Sequence, residues 1–172
     1  MKKLTGTIDQ KTRKTLKAGE ELLYTGIVYT ARDQAHKRLS ETIEKRKKLP
    51  FDLNNAIIYY TGPTPSKEKN KVGSSGPTTS SRMDKFTPLL LNKGVGSLIG
   101  KGSRSKEVVN AIKKNKAVYF ITIAGAGAYL SKRIKSAEIV AYSELGAEAI
   151  RLLYVEDFPL IVAVDSHGNS IY

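Results

Sequence analysis

The residues best suited to chemistry in this sequence lie in one stretch, residues 76–84, which reads Gly-Pro-Thr-Thr-Ser-Ser-Arg-Met-Asp. The opening Gly-Pro predicts a turn, because glycine adopts unusual backbone dihedrals and proline fixes φ. Ser81 followed by Asp84 is typical of a capping box, which would place the free N–H groups of a helix N-terminus here. Arg82 adds a planar guanidinium that can bind a carboxylate through two parallel hydrogen bonds. The stretch therefore predicts an anion-binding loop, and a plain Ser/Thr-rich linker before a capped helix is the alternative.

Two further positions could bring positive charge to the same site. Arg32 follows a predicted strand and opens a helix that a Thr30–Asp33 capping box would begin, so we expect it at the carboxyl edge of the sheet, where α/β folds bind ligands. His36 lies four residues further on and shares its helical face. Lys101 stands between two glycines at the end of another predicted strand. The alternatives are a surface salt bridge for Arg32, a packed or solvated His36, and an exposed turn lysine.

The elements that must position these residues alternate between strands and helices. β-branched and aromatic runs predict strands at residues 21–30, 55–60, 95–99, 117–123, 138–142, 150–155 and 160–165. Apolar periodicity predicts helices from about residue 30 to a stop at 49–50, from Thr87 to Gly94, and around 108–112. The small residues at 125–128 favour tight backbone packing. This order predicts a single layered α/β domain over residues 1–172, in which residues 1–15 are a candidate peripheral arm.

Composition excludes several kinds of site. The chain has 172 residues, no cysteine and two histidines, which rules out thiolate metal sites, iron–sulfur ligation and cysteine nucleophiles within it. The formal net charge is +13. We nevertheless do not expect nucleic acid as a partner, because the basic residues are spread out and are not interleaved with aromatic residues that could stack bases. No apolar run has the length of a signal peptide or a membrane helix, so the expected location is the cytoplasm.

The strand ends and loops of this fold would gather Arg32, Thr78, Arg82 and Lys101 at one edge of the sheet. Such a site is cationic, contains hydroxyls and lacks an evident general base, metal ligand or thiol. It could bind a small dianion such as a dicarboxylate, yet the residues alone predict only half an active site. A non-catalytic anion-binding module and a self-sufficient enzyme remain the alternatives at this point.

Several motifs, in the same order, resemble the beta subunit of class I fumarate hydratases and L-tartrate dehydratases. They are residues 76–84, Arg-Asp-Gln-Ala-His-Lys-Arg at 32–38, Tyr-Thr-Gly-Pro at 60–63, Ile-Gly-Lys-Gly at 99–102, Ser-Ala-Glu at 136–138 and Val-Glu-Asp-Phe-Pro at 155–159. The likeness runs from about residue 16 to residue 172. Because several motifs recur together, the resemblance is more specific than any single motif.

The resemblance implies a swivelling β/β/α domain with a mixed sheet that closes over its substrate. It also implies a hydro-lyase of two alpha and two beta chains that interconverts fumarate and L-malate, with L-tartrate dehydration as the alternative. In such enzymes the alpha subunit holds a four-iron four-sulfur cluster through three cysteines, which agrees with the lack of cysteine here.

The resemblance also suggests roles for individual residues. By motif, Arg32 and Arg82 would bind the carboxylates of the substrate, and Lys101 would assist them. Thr78 matches the threonine suggested as the base that takes the C3 proton, and a hydrogen bond to the substrate is its other role. Asp33 and His36 would hold Arg32 in place.

Overall fold

The computed structural model describes residues 1–123 and 125–172. Within them the sheet contains the strands β1 (Lys2–Thr5), β2 (Glu21–Thr30), β3 (Ile57–Tyr59), β4 (Ser97–Gly100), β5 (Val118–Ile121), β6 (Ile134–Ala141) and β7 (Ile150–Val164). The α-helices are α1 (Gln10–Arg13), α2 (Asp33–Glu44), α3 (Thr87–Asn92), α4 (Lys106–Asn115) and α5 (Gly127–Ser131). Two 3-10 helices cover Ser80–Met83 and Ser143–Glu148.

The strands form one mixed sheet in the order β1-β2-β3-β4-β5-β7-β6. The pairs from β1 to β5 are parallel, whereas β7 runs antiparallel to β2, β5 and β6. Because β7 pairs with both β5 and β2, the strands β2, β3, β4, β5 and β7 close into a ring. The prediction of a layered α/β fold with a mixed sheet is therefore confirmed.

Successive residues of the ring strands face two separate cores. In β3, Ile57 and Tyr59 pack into an inner cluster to which all five ring strands contribute. Ile58 points the other way, into an outer cluster that it shares with Leu39 of α2 and Leu90 of α3. This is the period-two alternation that a strand covered on both faces requires. The helices α2, α3 and α4 therefore cover the outside of the ring, and its interior is a packed apolar core to which Leu130 of α5 also contributes.

One prediction about a helix start is wrong. The Thr30 side chain does not cap α2: its hydroxyl donates to the Ala149 carbonyl at 3.3 Å and accepts from the Arg151 amide at 3.0 Å. Arg32 occupies the N-cap position without a side-chain cap bond. The reason is tertiary, since Thr30 is still part of β2 and its hydroxyl is used by the neighbouring β7 chain. The helix also ends at Glu44, several residues before the predicted stop.

The two strands predicted at residues 150–155 and 160–165 form one continuous strand, β7. β7 runs through Glu156–Pro159 with an irregular residue, Asp157, at φ 47°. Opposite it, the β2 register shifts between Tyr24 and Gly26. The Asp157 amide donates to Thr25 Oγ1 at 3.0 Å, which keeps the irregular residue within the pairing. A local bulge thus replaces the predicted break, and it lets a single strand reach both β2 and β5.

Residues 1–15 supply the edge strand β1, parallel to β2, and the short helix α1. Ile8 and Arg13 of this segment are buried. Its role as a peripheral arm stays a prediction. In the described part of the chain, no helix has the length and apolar character needed to cross a membrane.

Candidate functional site

Three parallel strands end at the same edge of the sheet and carry the candidate residues just beyond their ends. β2 leads to Arg32, β3 leads to Thr61 and Gly62, and β4 leads to Lys101. Parallel pairing places these carboxyl ends side by side. The edge of the sheet is therefore the place where side chains from separate parts of the sequence can meet.

The 76–84 loop is joined to this edge by main-chain hydrogen bonds. The Thr78 amide donates to the Tyr60 carbonyl at 2.7 Å, and the Ser80 amide donates to the Lys101 carbonyl at 3.0 Å. Thr79 and Lys101 form an isolated parallel bridge. These bonds place the main chain of residues 78–80 against the ends of β3 and β4, with Lys101 next to Thr79.

Glycine at position 100 is required by this close approach. A Cβ atom at Gly100 would overlap Ser80 Oγ and would lie 2.7 Å from the Tyr60 ring. Ser80 Oγ in turn accepts from the Lys101 amide at 3.0 Å. Lys101 itself is half-buried, and within the described residues its ammonium group makes no ion pair.

Arg82 is fixed to the start of α2 by an ion pair. Its Nη2 atom lies 2.6 Å from Asp33 Oδ2, and the two side chains are 46% and 37% exposed. Asp33 lies in the first turn of α2, where a carboxylate is favoured by the helix dipole. Because Asp33 follows Arg32 directly in the chain, the pair brings Arg82 and Arg32 to neighbouring parts of one edge.

The Arg32 side chain extends along this edge toward Gly62. A Cβ atom at Gly62 would lie 2.8 Å from Arg32 Nη1, so any larger residue there would displace the guanidinium. The Arg32 Nε atom is buried and makes no hydrogen bond within the described residues. Within the described residues the Arg32 side chain also makes no ion pair.

His36 supports Arg32 from beneath and has no access to the site itself. Its side chain is buried, and Nδ1 lies 2.7 Å from the Arg32 carbonyl oxygen. A carbonyl can only accept, so Nδ1 carries the proton and donates. Burial lowers the pKa of His36 to about 4, against its ordinary 6.5. The imidazole is thus neutral near pH 7, and its ring packs edge-on against Tyr60 at 5.3 Å.

The second predicted capping box is also wrong. Residues Ser80–Met83 form a 3-10 helix without a side-chain cap bond. The Asp84 carboxylate instead accepts from Arg104 Nε at 2.7 Å and from the Ser105 amide at 2.8 Å. Asp84 therefore bonds to Arg104, 20 positions away in sequence, and does not cap a local helix. The loop therefore meets the site through β-type bridging to Lys101 and not through an α-helix N-terminus.

Sequence reasoning missed Arg104, which lies two residues before α4 and directly behind the site. Its side chain is 0% exposed and reaches Asp84, Tyr60 and Thr87. The one indication in the sequence was a basic residue between the end of a strand and a helix. Nothing in its spacing distinguishes it from a surface arginine, which is the usual state of that residue.

The edge thus carries Arg32 and Lys101 beyond two strand ends, with Thr78 and Arg82 on the loop that is bonded to it. An open groove of about 960 Å³ lies on the Arg82 side, lined in part by Asp33, Arg82, Asp84 and nearby lysines; within the described part of the chain, Arg32, Thr78 and Lys101 lie outside its lining. Within the described residues no cluster of three or more histidine or carboxylate side chains could hold a metal. The arrangement can bind and orient an anion with two carboxylates, and Thr78 adds a hydroxyl beside the cations.

Comparison with known proteins gives consistent matches over nearly the whole chain. The family model described as fumarase C-terminus matches residues 3–172. A putative L(+)-tartrate dehydratase subunit beta from Methanocaldococcus jannaschii is 40% identical over 171 residues, covering 96% of this chain and 88% of that protein. The anaerobic class I fumarate hydratase of Escherichia coli is 43% identical over 154 residues, covering 88% of this chain. A putative class I fumarate hydratase from Geobacillus stearothermophilus is 36% identical over 174 residues, or 98% of this chain.

The relatives differ in how much of their own length is matched. The chain spans only 28% of the Escherichia coli protein and 33% of the Geobacillus stearothermophilus protein. It corresponds to most of the Methanocaldococcus jannaschii subunit.

Proposed function

This chain belongs to the fumarase C-terminus family, and from that membership we propose that it is the beta subunit of a hydro-lyase that reversibly hydrates fumarate to L-malate. The observation that carries the proposal is the gathering of two guanidinium groups, one ammonium group and a hydroxyl at one sheet edge. Its hydrogen-bonded framework is made by residues 76–84 and the turn after β4. Relatives named fumarate hydratase match this part of the chain.

The cationic groups would bind a dicarboxylate dianion and set its orientation. In this proposal Arg82 and Arg32 bind its carboxylates, because a guanidinium can give a carboxylate two parallel hydrogen bonds. Lys101 adds a point charge from the turn after β4. Arg82 keeps its ion pair with Asp33 on one side and offers its remaining N–H groups to the substrate.

Thr78 would donate a hydrogen bond to the bound dianion, and it is also the candidate for the group that takes the C3 proton from malate. A threonine hydroxyl is a very weak acid, so its alkoxide forms only where nearby cations stabilise it strongly. Lys101, held beside it by the bridge to Thr79, supplies charge of the required sign. The buried, neutral His36 cannot serve as this base, because its ring does not reach the site surface.

The resemblance implies a four-iron four-sulfur cluster, and the residues of this chain do not fit one. Such clusters are held by cysteine thiolates, and the chain has no cysteine. We therefore assign the cluster to a separate alpha subunit, which the name subunit beta of the Methanocaldococcus jannaschii relative supports. The fumarate hydratases that match are also about three to four times as long as the matched segment. An assembly of two alpha and two beta chains is the expected form.

L-tartrate dehydration is the second candidate function. The relative whose length this chain matches best in the comparisons above is a putative L(+)-tartrate dehydratase subunit. Tartrate is likewise a small dicarboxylate, so the same guanidinium groups could bind it. The cationic edge does not by itself distinguish the two substrates.

An anaerobic reconstitution tests the proposal. The purified chain, a candidate alpha subunit and their mixture are each assayed with fumarate, L-malate and L-tartrate. We expect turnover only in the mixture, and the preferred substrate decides between hydratase and dehydratase. Robust turnover by this chain alone, or none by a cluster-loaded mixture, would contradict the proposal.

A pair of matched variants tests the role of the site in the same assay. Arg82→Met removes a charge-assisted contact worth about 1.5–3 kcal/mol, so the KM for the dicarboxylate should rise by about tenfold or more. Arg38→Met is the control, because Arg38 is a comparably exposed arginine of α2 that pairs with Glu144 outside the edge. Equal kinetic effects of the two variants would show that general surface charge, and not the site, binds the substrate.

A further inference from the structure

The buried side chain of Arg104 contacts several segments that the proposed site depends on. Its Nε donates to Asp84 Oδ1 at 2.7 Å, and its Nη2 donates to Tyr60 Oη at 3.1 Å and Thr87 Oγ1 at 2.9 Å. Its guanidinium carbon lies 5.2 Å from the centre of the Tyr60 ring and 4.7 Å from that of Tyr119. One buried guanidinium thus contacts four side chains from three parts of the chain, Tyr60, the 84–87 segment and Tyr119.

Stability alone does not account for this arrangement. Removing a guanidinium and a carboxylate from water costs free energy that their mutual attraction often fails to recover, and apolar replacements of buried ion pairs are frequently neutral or stabilising. The Arg104 Nη1 atom is also buried, with no hydrogen-bond partner in the part of the chain that is described. The burial of the Arg104 guanidinium is better explained by its effect on the positions of the segments that it contacts.

Two of the Arg104 partners lead directly to site residues. Asp84 follows Arg82 by two positions, at the end of the same 3-10 helix. The Tyr60 carbonyl oxygen accepts a hydrogen bond from the Thr78 amide at 2.7 Å. The guanidinium therefore fixes the spacing between the segment that carries Arg82 and the strand end that holds Thr78.

The third partner leads to Lys101. The Tyr119 hydroxyl lies 2.8 Å from both Ser80 Oγ and the Gly102 carbonyl. Ser80 exchanges hydrogen bonds with Lys101, through the Ser80 amide and through Ser80 Oγ. The Tyr119 ring, packed under Arg104, thus supports the turn on which Lys101 stands.

We propose that Arg104 is a positioning residue whose guanidinium holds the 76–84 loop and the Lys101 turn in register, so that Thr78, Arg82 and Lys101 face one bound dianion. This inference rests on the proposed function for its consequence in catalysis. Its geometric part, the docking of the loop on the turn, can be measured without any activity.

The test compares Arg104 with another buried arginine. Arg13 is also buried and donates to the Lys116 and Ile8 carbonyls and to Asn55 Oδ1, each at 2.8–2.9 Å. Asn55 and Lys116 precede β3 and β5, so Arg13 lies at the opposite edge of the sheet from Lys101. Arg104→Lys and Arg13→Lys each keep a charge and lose the multiple donors of the fork, which makes them a matched pair.

Amide hydrogen exchange on the isolated chain is the first readout. In Arg104→Lys the amides of Thr78 and Ser80 should exchange at least tenfold faster, relative to the amides of the core strands. In Arg13→Lys the exchange of these two amides should change only as much as that of the core strands. Unchanged relative protection of Thr78 and Ser80 in Arg104→Lys would overturn the inference, whatever the enzyme assay shows.

Steady-state kinetics on the reconstituted pair is the second readout. Arg104→Lys should lower kcat by tenfold or more and raise KM, while Arg13→Lys retains the kinetic constants of the wild type. The double variant Arg104→Met/Asp84→Asn removes both charges and keeps an acceptor for the Ser105 amide, so we expect loss of turnover with little loss of thermal stability. Wild-type kinetics in a folded double variant would overturn the positioning role. An inactive wild-type pair would instead count against the proposed function, and the exchange result would still decide the geometry.

Discussion

The buried histidine makes stability depend on pH within a defined window. Burial is the main cause that lowers the pKa of His36 to about 4 in the folded protein, against 6.5 ordinarily, and the nearby Arg104 charge acts in the same direction. Between these two values the unfolded chain binds a proton that the folded chain does not. The free energy of unfolding should therefore fall as the pH is lowered through this window, by about 3 kcal/mol in total at 1.36 kcal/mol per pKa unit.

Urea unfolding at a series of pH values from 7.5 to about 4 measures this loss. His36→Asn removes the titrating group and keeps a donor for the Arg32 carbonyl, so its stability should depend less on pH than that of the wild type. The difference between wild type and His36→Asn should shift by about 3 kcal/mol across the window. Parallel curves for wild type and His36→Asn would refute the reasoning.

Three other substitutions probe the site and the stability of the fold. Gly100→Ala should lower the free energy of unfolding in urea by about 1–3 kcal/mol, because its methyl group overlaps Ser80 Oγ; a value within error of wild type would show that the loop moves freely. Asp33→Asn should change stability by less than about 1 kcal/mol, because its ion pair with Arg82 is partly exposed, yet it should alter the KM for the dicarboxylate in the reconstituted pair. Asp165→Asn should lower the thermal midpoint and reduce the loss of stability on acidification. Burial alone would raise the pKa of the Asp165 carboxyl, but hydrogen bonds from backbone N–H groups lower it overall, so protonation of this carboxyl destabilises the folded wild type.

The sequence was sufficient for features that depend on neighbouring residues or on repeated patterns. The run at 21–30 appears as β2, with a register shift between Tyr24 and Gly26. The small residues at 125–128 were predicted to pack tightly, and a Cβ atom at Gly127 would lie 2.9 Å from the Gly76 amide nitrogen. The placement of Arg32 and Lys101 beyond strand ends followed from the strands themselves.

The sequence failed where a polar group had a choice of partners. Thr30 and Asp84 each fit a local capping box, and each is bonded instead to a residue more than 15 positions away. Local spacing cannot rank a nearby partner against one brought close only by the fold. The burial of Arg104 was missed for the same reason, because its partners come from three other segments.

The positive groups at the sheet edge are only partly neutralised by acidic side chains in the described part of the chain. Arg104 is paired with the partly buried carboxylate of Asp84, and burial keeps His36 uncharged, so neither adds a free charge beneath the edge. At the edge itself, Arg82 has a partly exposed acidic partner, whereas Arg32 and Lys101 have no ion pair in the described part of the chain. Because like charges repel one another, a bound dianion would lower the electrostatic energy of these groups. Under the proposed function, a dicarboxylate substrate would supply that negative charge.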